Sequence, residues 1–412
     1  MVYHNWSSNL TYSTEVLHTP SSIDEIQAII GQASQVKALG SRHSFNRIAD
    51  SSEVLISLAQ FDEITLDTQA QTVTVGAGVR YGELAHYLHQ NGYALHNLAS
   101  LPHISVVGAC ATATHGSGIG NGNLATSVRG MRWINGKGEQ IELNHHDAEF
   151  AGAVVHLGAL GVITTITLAV QPTFTLGQHV YLDLSLEQAT TQFNALMSTA
   201  YSVSLFTDWR NDRINQVWLK TRDTASPPPT LGDATLAQHA YHPIASVSPE
   251  NCTEQLGVHG AWHERLPHFR LEFTPSNGAE LQSEYFVARE HAPQALESLY
   301  AIRERFNHLL LISEIRCIAG DDLWMSPCYQ SDCVGLHFTW ERNVEAVEQV
   351  LPSIEEALAP FEPRPHWGKL FTLPMSAIQS GYPQLNAFRK LAQTHDPDGK
   401  FRNRFLDDIL VV

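Results

Sequence analysis

Two loops in the first third of the chain and three segments in its second half hold the residues whose types and spacing can do chemistry. The first loop, Ala38-Leu-Gly-Ser-Arg-His-Ser44, leaves an apolar strand pattern and turns so that successive backbone N–H groups lie beside the hydroxyls of Ser41 and Ser44. Such donors suit a pyrophosphate, and Gly40 removes the side chain that would block its approach. His43 projects from the same turn, although a lone histidine serves structure more often than chemistry. The second loop runs from Leu98-Ala-Ser-Leu-Pro-His-Ile-Ser105 into Val106-Val-Gly-Ala-Cys-Ala-Thr-Ala-Thr-His-Gly-Ser-Gly118. Gly108, Ala109, Ala111 and Ala113 permit close packing against a flat or extended ligand, and Thr112, Thr114 and Ser117 supply hydroxyls. A small-residue loop packed under a sheet without a ligand would read the same way.

In the second half, Ile312-Ser-Glu-Ile-Arg-Cys-Ile318 interrupts an apolar strand with polar residues. Glu314 and Arg316 are two apart and so share a face of the strand. Leu336-His-Phe-Thr-Trp340 repeats the pattern, with His337 and Thr339 on one face and Phe338 on the other. Glu, Arg, His and Thr on one side would make a polar floor; an ordinary solvent-facing antiparallel sheet alternates in the same way. In Pro363-Arg-Pro-His-Trp-Gly-Lys-Leu-Phe371, Lys369 follows an aromatic-glycine turn in a mostly apolar setting, where a fixed cation can stabilise developing negative charge.

The elements that must position these residues fall into two textures. Up to about residue 170, short β-rich runs alternate with helical patterns. Residues 22–34 open with Ser and Asp and place Ile26, Ile29 and Ile30 at helical spacing, which predicts a capped helix. Strands are expected at 35–39, 54–58, 71–75 and 161–170, and an amphipathic helix at 81–90 through Leu84, Tyr87 and Leu88. Longer elements follow Pro172, with strands at 180–184, 216–220 and 285–287, and the Pro-rich stretch 226–229 and the region out to Pro249 read as surface loops. The glycines of Val73-Thr-Val-Gly-Ala-Gly-Val-Arg-Tyr-Gly82 have GxGxxxG spacing rather than GxGxxG and do not follow the first strand of a βαβ unit. They predict a tight strand-to-helix turn and not a nicotinamide dinucleotide site.

Composition bounds the function from outside. At 43% apolar and 16% charged residues the chain can bury a large core, and its net charge of −17 argues against nucleic acid or an anionic membrane as partner. No apolar run is long enough to span a bilayer, and the first ten residues lack the form of a secretion signal. The five cysteines are scattered and form no CxxC pair, so free thiols in a reducing cytoplasm are expected and a metal site is not.

Taken together, Ser41-Arg-His-Ser-Phe-Asn46, Leu101-Pro-His-Ile-Ser105, His115-Gly-Ser-Gly118 and Gly158-Ala-Leu-Gly-Val162 resemble the FAD-binding domain of the vanillyl-alcohol oxidase superfamily, specifically its alditol oxidase branch. Glu-x-Arg, His-x-Thr and His-Trp-Gly-Lys, with Asn251-Cys-Thr-Glu-Gln, Trp262-His-Glu-Arg-Leu-Pro-His-Phe-Arg270 and Glu280-Leu-Gln-Ser-Glu-Tyr285, extend the resemblance over nearly the whole chain. Many alditol oxidases have glycine where Arg42 stands, while xylitol oxidase-like members are similar in using arginine. The resemblance implies an α+β two-domain flavoprotein: an FAD-binding domain over residues 1–172, a substrate domain with a large antiparallel sheet over 173–375, and a C-terminal segment, 376–412, returning to the FAD domain. It implies FAD carried covalently on His43 and bordered by Ala38, Leu39, Gly40, Ser41, Arg42, Ser44, Ser100, Ser105, Gly108, Ala109, Thr112, Ala113, Thr114, His115 and Ile163.

The same resemblance puts Ser100, Glu314, Arg316, Thr339 and Lys369 around a polyol, with His337 in the cluster as proton acceptor or orienting neighbour. The expected reaction is oxidation of the terminal hydroxyl of an alditol such as xylitol, sorbitol or glycerol, with O2 reduced to H2O2. A sugar-1,4-lactone oxidase or dehydrogenase is the alternative. In the related lactone enzymes the residue at the position of Ala99 is expected to set oxygen access, and a monomer is the default expectation.

Overall fold

Local signals in the first half become structure almost where they are written. In this computed structural model, which describes residues 2–223, 227–272 and 279–410, the Ser22 side chain accepts a hydrogen bond from the Glu25 N–H at 3.3 Å and so caps helix Ile23–Gln32. That satisfies one of the amides left free in a first helical turn. Ile26 and Ile30 are fully buried. Helix Tyr81–Gln90 buries Leu84 and Leu88. The turn before it is held by packing: a β-carbon on Gly76 would collide with the Phe61 carbonyl, and one on Gly78 with that of Leu58.

Strands Ile64–Asp67, Thr72–Gly76, Val162–Ala169, Val128–Ile134 and Gln140–Asn144 form an antiparallel five-stranded sheet in that spatial order. Val73 and Val75 alternate with Thr and bury on one face. Beside it, Leu17–His18, Val54–Ile56 and Val36–Ala38 make a small parallel sheet.

Among the described residues the second sheet has nine strands, every pairing antiparallel. At its centre lie Thr175–Ser185, Arg213–Arg222, Ser202–Thr207, Leu310–Ile318, Cys333–Glu341 and Glu280–Ala288, in that order. One face packs Ile315, Leu336, Phe338 and Trp340 against Leu296 and Leu299 of helix Ala292–Ile302 and Val347, Leu351 and Ile354 of helix Val344–Leu358. Burying each such side chain contributes about 1.5–3 kcal/mol. The other face carries Glu284, Glu314, Arg316 and His337. It is buried as well, which the alternation pattern alone left open. The first half of the chain covers it: Gly118 N–H donates to the Cys317 carbonyl and Ala319 N–H to that of Asn121.

The chain end runs back across the first half. Helix Leu385–His395 is followed by a turn in which the Asp396 carboxylate accepts the amides of Lys400 and Phe401. Gly136 N–H donates to His395 O and Val36 N–H to Lys400 O, while Phe401 packs with Ile26, Ile30 and Ile134. The long-loop expectation after the second-half strands is met at Pro227–Pro229, but Thr235–Leu236 adds an edge strand to the large sheet. Ser226, Val411 and Val412, each part of a sequence expectation, lie outside the described residues.

Candidate active site

The His43 loop owes its shape to one residue in an unusual conformation. Arg42 has φ +63°, in the left-handed region that glycine adopts without strain, and this turns His43 inward. The loop is then fastened to the segment that bears Lys369. The Asn46 side-chain amide donates to the carbonyls of Trp367 and Lys369, both at 2.8 Å, and the Phe45 N–H donates to Gly368 O at 2.7 Å. The His43 ring stacks on Trp6 at 5.1 Å, and its Nδ1 is buried without a hydrogen-bond partner. Burial, aided by the charges of His103, Arg80 and Arg42, pushes the His43 pKa down to about 4, so the ring is neutral at pH 7.

A cavity of about 350 Å³ separates this loop from the polar floor. On the loop side it is bordered by Ala38, Leu39, Gly40, Ser41, Arg42, His43, Ser44, Ser105, Gly108, Ala109, Thr112, Thr114, His115 and Ile163, and on the far side by Glu284, Glu314, Arg316, His337 and Lys369, with Ala99 and Ser100 also on its wall. A β-carbon on either Gly40 or Gly108 would stand 2.6 Å from Ser105 Oγ, so both glycines leave Ser105 its place on the cavity wall. Ser105 is itself held by its N–H donating to Ser41 Oγ at 3.1 Å.

Two of the sequence candidates stand elsewhere. Thr339 shares a face with His337 but lies two residues along the strand, about 6.6 Å away. It borders a second cavity of about 290 Å³ that meets the first at Glu314 and His337. Ala113 sits at φ +52°, beyond the end of helix Val106–Ala111, which turns its methyl into the core rather than toward the cavity.

The floor is organised by a residue that sequence reasoning quoted within a motif but gave no role. Glu284 is 1% exposed and receives three donors, two of them cations: Lys369 Nζ at 2.6 Å, Arg316 Nη2 at 2.8 Å and His115 Nε2 at 3.1 Å. Strand register explains the convergence. Glu314, His337 and Glu284 are cross-strand neighbours in one row, and Gly335 stands opposite Arg316 on the strand between Arg316 and Glu284. A β-carbon on Gly335 would lie 3.1 Å from Glu284 Oε1, so glycine leaves the room in which the guanidinium reaches across. The period-two pair Gln282 and Glu284 was the available signal.

Charge states follow from these contacts. Burial works against an ionised Glu284, but Lys369, His115 and Arg316 hold it well below the ordinary carboxylate range. Burial likewise opposes ionisation of Glu314, which Arg316 and His268 also hold well below that range. Arg316 in turn is desolvated, yet the two carboxylates raise its pKa. His115 faces an oxygen from each nitrogen, Gly116 O at 2.8 Å and Glu284 Oε1, so it makes both bonds only as the imidazolium, although burial pushes its pKa down. His337 is driven toward the neutral form by burial and then by Lys369, and its Nε2 is buried without a partner. His268, also without an assigned role in the sequence, donates from Nε2 to the ionised Glu314 at Oε1 across 2.7 Å.

The fold, with an elongated cavity between a glycine-lined loop and a charged sheet, defines the class. Residues 14–144 match the FAD binding domain family, and residues 277–409 match the D-arabinono-1,4-lactone oxidase family. The fold is shared with cholesterol oxidase from B. sterolicum, at a TM-score of 0.80 with 14% identity over 99% of this chain and 96% of that one. The molecule is thus a flavoprotein oxidoreductase of the vanillyl-alcohol oxidase superfamily. Within it, the chain is 47% identical to an alditol oxidase from a Streptomyces species over 410 residues, 98% of each chain, and it belongs to the alditol oxidase family. An L-gulono-1,4-lactone dehydrogenase from Mycobacterium tuberculosis is 26% identical over 99% of both chains.

Proposed function

We propose that the protein is an FAD-dependent alditol oxidase that converts the terminal primary hydroxyl of a polyol such as xylitol, sorbitol or glycerol to the aldehyde, with O2 reduced to H2O2. The observation that carries this reading is the floor itself: Glu314, Arg316, Glu284 and Lys369 face the His43 loop across one buried cavity. Several fixed donors and acceptors suit a chain of hydroxyls, because each hydroxyl left unmatched in such a site is a buried polar group without a partner.

The cavity wall fits FAD: Gly40 and Gly108 put no side chain against Ser105 on that wall, and the neutral His43 ring has a buried nitrogen without a hydrogen-bond partner. Ala38 to Ser44, Ser105, Gly108, Ala109, Thr112, Thr114, His115 and Ile163 would hold the cofactor, with covalent attachment through His43. Bound FAD supplies the acceptor for the substrate's electron pair. Glu314 accepts hydrogen bonds from substrate hydroxyls, and Ser100, whose Oγ lies 3.5 Å from Arg316 Nη1, adds a hydroxyl at the same place. Arg316 and Lys369 are the fixed positive charges that offset negative charge appearing as the reaction proceeds. The neutral His337 is an acceptor within reach of the same space.

Residues 1–172 form the cofactor domain in this reading, 173–375 the substrate domain, and 376–412 a segment returning to the first. The working unit in this reading is a monomer, and five unpaired cysteines support a reducing, cytoplasmic setting. Among the described residues no helix is long and apolar enough to cross a membrane. A second reading, a sugar-1,4-lactone oxidase or dehydrogenase, is favoured by the match over residues 277–409. Peroxide release by the purified yellow protein on xylitol, sorbitol, glycerol and an aldonolactone decides between them. Turnover of the alditols is expected, and turnover of the lactone alone would overturn the first reading.

A further inference from the structure

Behind the floor lies a buried cation that the reaction as described does not use. Lys220 projects from strand Arg213–Arg222 and is 1% exposed. Its Nζ meets Leu266 O at 2.5 Å, Pro267 O at 3.1 Å and His268 Nδ1 at 3.1 Å, and His268 Nε2 meets Glu314 Oε1 at 2.7 Å. The His268 ring is held edge-on between Trp218 and Phe206, with centroids at 5.2 and 5.5 Å, so the contacts at its two nitrogens are set together.

This arrangement can hold two different numbers of protons. As an ammonium, Lys220 donates to both carbonyls and to His268 Nδ1, and His268 then donates from Nε2 to the Glu314 carboxylate. As an amine, Lys220 donates to the two carbonyls and accepts from Nδ1–H, which leaves the Nε2 lone pair facing Glu314 across 2.7 Å. That second state lacks one proton, and the gap falls between the imidazole and the carboxylate that faces the cavity.

We propose that Glu314, His268 and Lys220 form a proton relay, in which Lys220 stores the proton that leaves the substrate hydroxyl. This rests on the alditol oxidation read above. The substrate O–H bond breaks and its proton passes by way of Glu314 to His268 Nε2. The Nδ1–H bond of His268 breaks and the amine of Lys220 becomes an ammonium. The C–H bond breaks with its electron pair, which leaves as hydride to the oxidised cofactor. Reduction of O2 to H2O2 consumes that hydride and one further proton, so the stored proton returns along the same path and the cycle balances. Lys220 acts through His268 and Glu314 and stands behind the cavity wall, to which His268 also contributes.

The rival acceptor, His337, faces Lys369, Arg316, Glu284 and Glu314, and a proton there would add a third cation beside the two already present. The relay instead begins at an anion. Lys220 is faced by Glu314 and Arg316 from strand Leu310–Ile318, one strand beyond the neighbouring Ser202–Thr207, by Arg265 and His268 from the segment after strand Gly260–Ala261, and by Cys252. Beyond Glu314 lie His337, Glu284 and Lys369. Burial is the largest influence on Lys220 and brings its pKa down to about 7, where the amine and ammonium states are both accessible.

The test uses the flavin-loaded enzyme and xylitol, with flavin reduction followed anaerobically by stopped flow from pH 5 to 9. The wild-type rate is expected to fall about tenfold per pH unit below a limb near 7, where the relay is already full. Lys220→Met should move that limb to lower pH by more than one unit and lower the plateau roughly 10–100-fold, because His268 alone is a weaker store. Lys220→Arg, which stays protonated throughout this range, should show the low plateau with no limb near 7. His268→Gln should lose the limb as well.

A second readout needs no turnover. A lysine with its folded pKa depressed disfavours folding fully below that value, and the cost disappears as pH rises to the unfolded pKa. The folding constant of wild type relative to Lys220→Met should therefore rise about tenfold per pH unit between 7 and about 10.4, and His268→Gln should keep that slope. A Lys220→Met limb that coincides with the wild-type limb, or a flat stability difference across that window, overturns the relay. Failure of any alditol to reduce the wild-type flavin removes the reaction itself, and the relay with it.

Discussion

Replacing Glu284 by Gln keeps the side chain's shape and removes the one negative charge that Lys369, Arg316 and His115 share. The carboxylate is 1% exposed, so water cannot take its place, and the amide would turn an NH2 group toward at least one cation. Removing one partner of a buried ion pair typically costs ~3–5 kcal/mol, because the remaining charge is left uncompensated. With an unfolding entropy of ~2.1 cal/mol/K per residue over 412 residues, about 0.9 kcal/mol/K, this corresponds to a fall of ~3–6 °C in the melting temperature. The assay is thermal unfolding of the flavin-loaded protein at pH 7, for Glu284→Gln, Lys369→Met and the double variant. The double variant should be less destabilised than the sum of the singles by ~0.5–3 kcal/mol, since it removes a charge together with its counter-charge. A melting temperature within about 1 °C of wild type, with additive single effects, would refute the placement of Glu284 as the hub of the floor.

Acid precipitation should leave the yellow colour in the protein pellet, with an FAD-sized mass increment on the peptide containing His43; complete release of free FAD by acid ends the covalent assignment, and His43→Ala should retain only releasable flavin. Lys369→Ala and Arg316→Ala should each slow flavin reduction by ~10²–10³-fold, the usual loss when one fixed donor to a developing charge is removed; an unchanged reduction rate with a raised KM would make both residues binding groups only. Ala99, on the cavity wall next to Ser100, should control oxygen entry, so that Ala99→Gly keeps or raises the rate of reoxidation by O2 and Ala99→Val lowers it. Reoxidation of Ala99→Val at the wild-type rate would place the oxygen path elsewhere.

What the sequence by itself determined is what depends on near neighbours. Ser22 and its helix, the alternating Val73 and Val75 strand, and the pairing of Glu314 with Arg316 on one face all follow from periods of 3.6 and 2 and from capping chemistry. The glycine-lined loops were legible too, because their small residues and hydroxyls are contiguous. Whether the polar face of the second-half sheet met water or protein was not. The same alternation serves both, and only the first half of the chain, folded over it, makes the floor a buried site.

Glu284 shows the limit most clearly. Its partners are 169, 85 and 32 residues away, and the room for one of them depends on Gly335 across the strand. Lys220 and His268 reach Glu314 through contacts 48 and 46 residues long, and nothing local marks either as part of a site. Thr339 and Ala113 show the opposite case. The resemblance implies a place beside substrate and cofactor for them, whereas the rise along one strand sets Thr339 on the adjoining cavity and a left-handed backbone turn sets Ala113 off the cavity lining. Residue type and spacing are local quantities, whereas the convergence of charges in a low-dielectric interior is set by strand register and by which half of the chain covers which face.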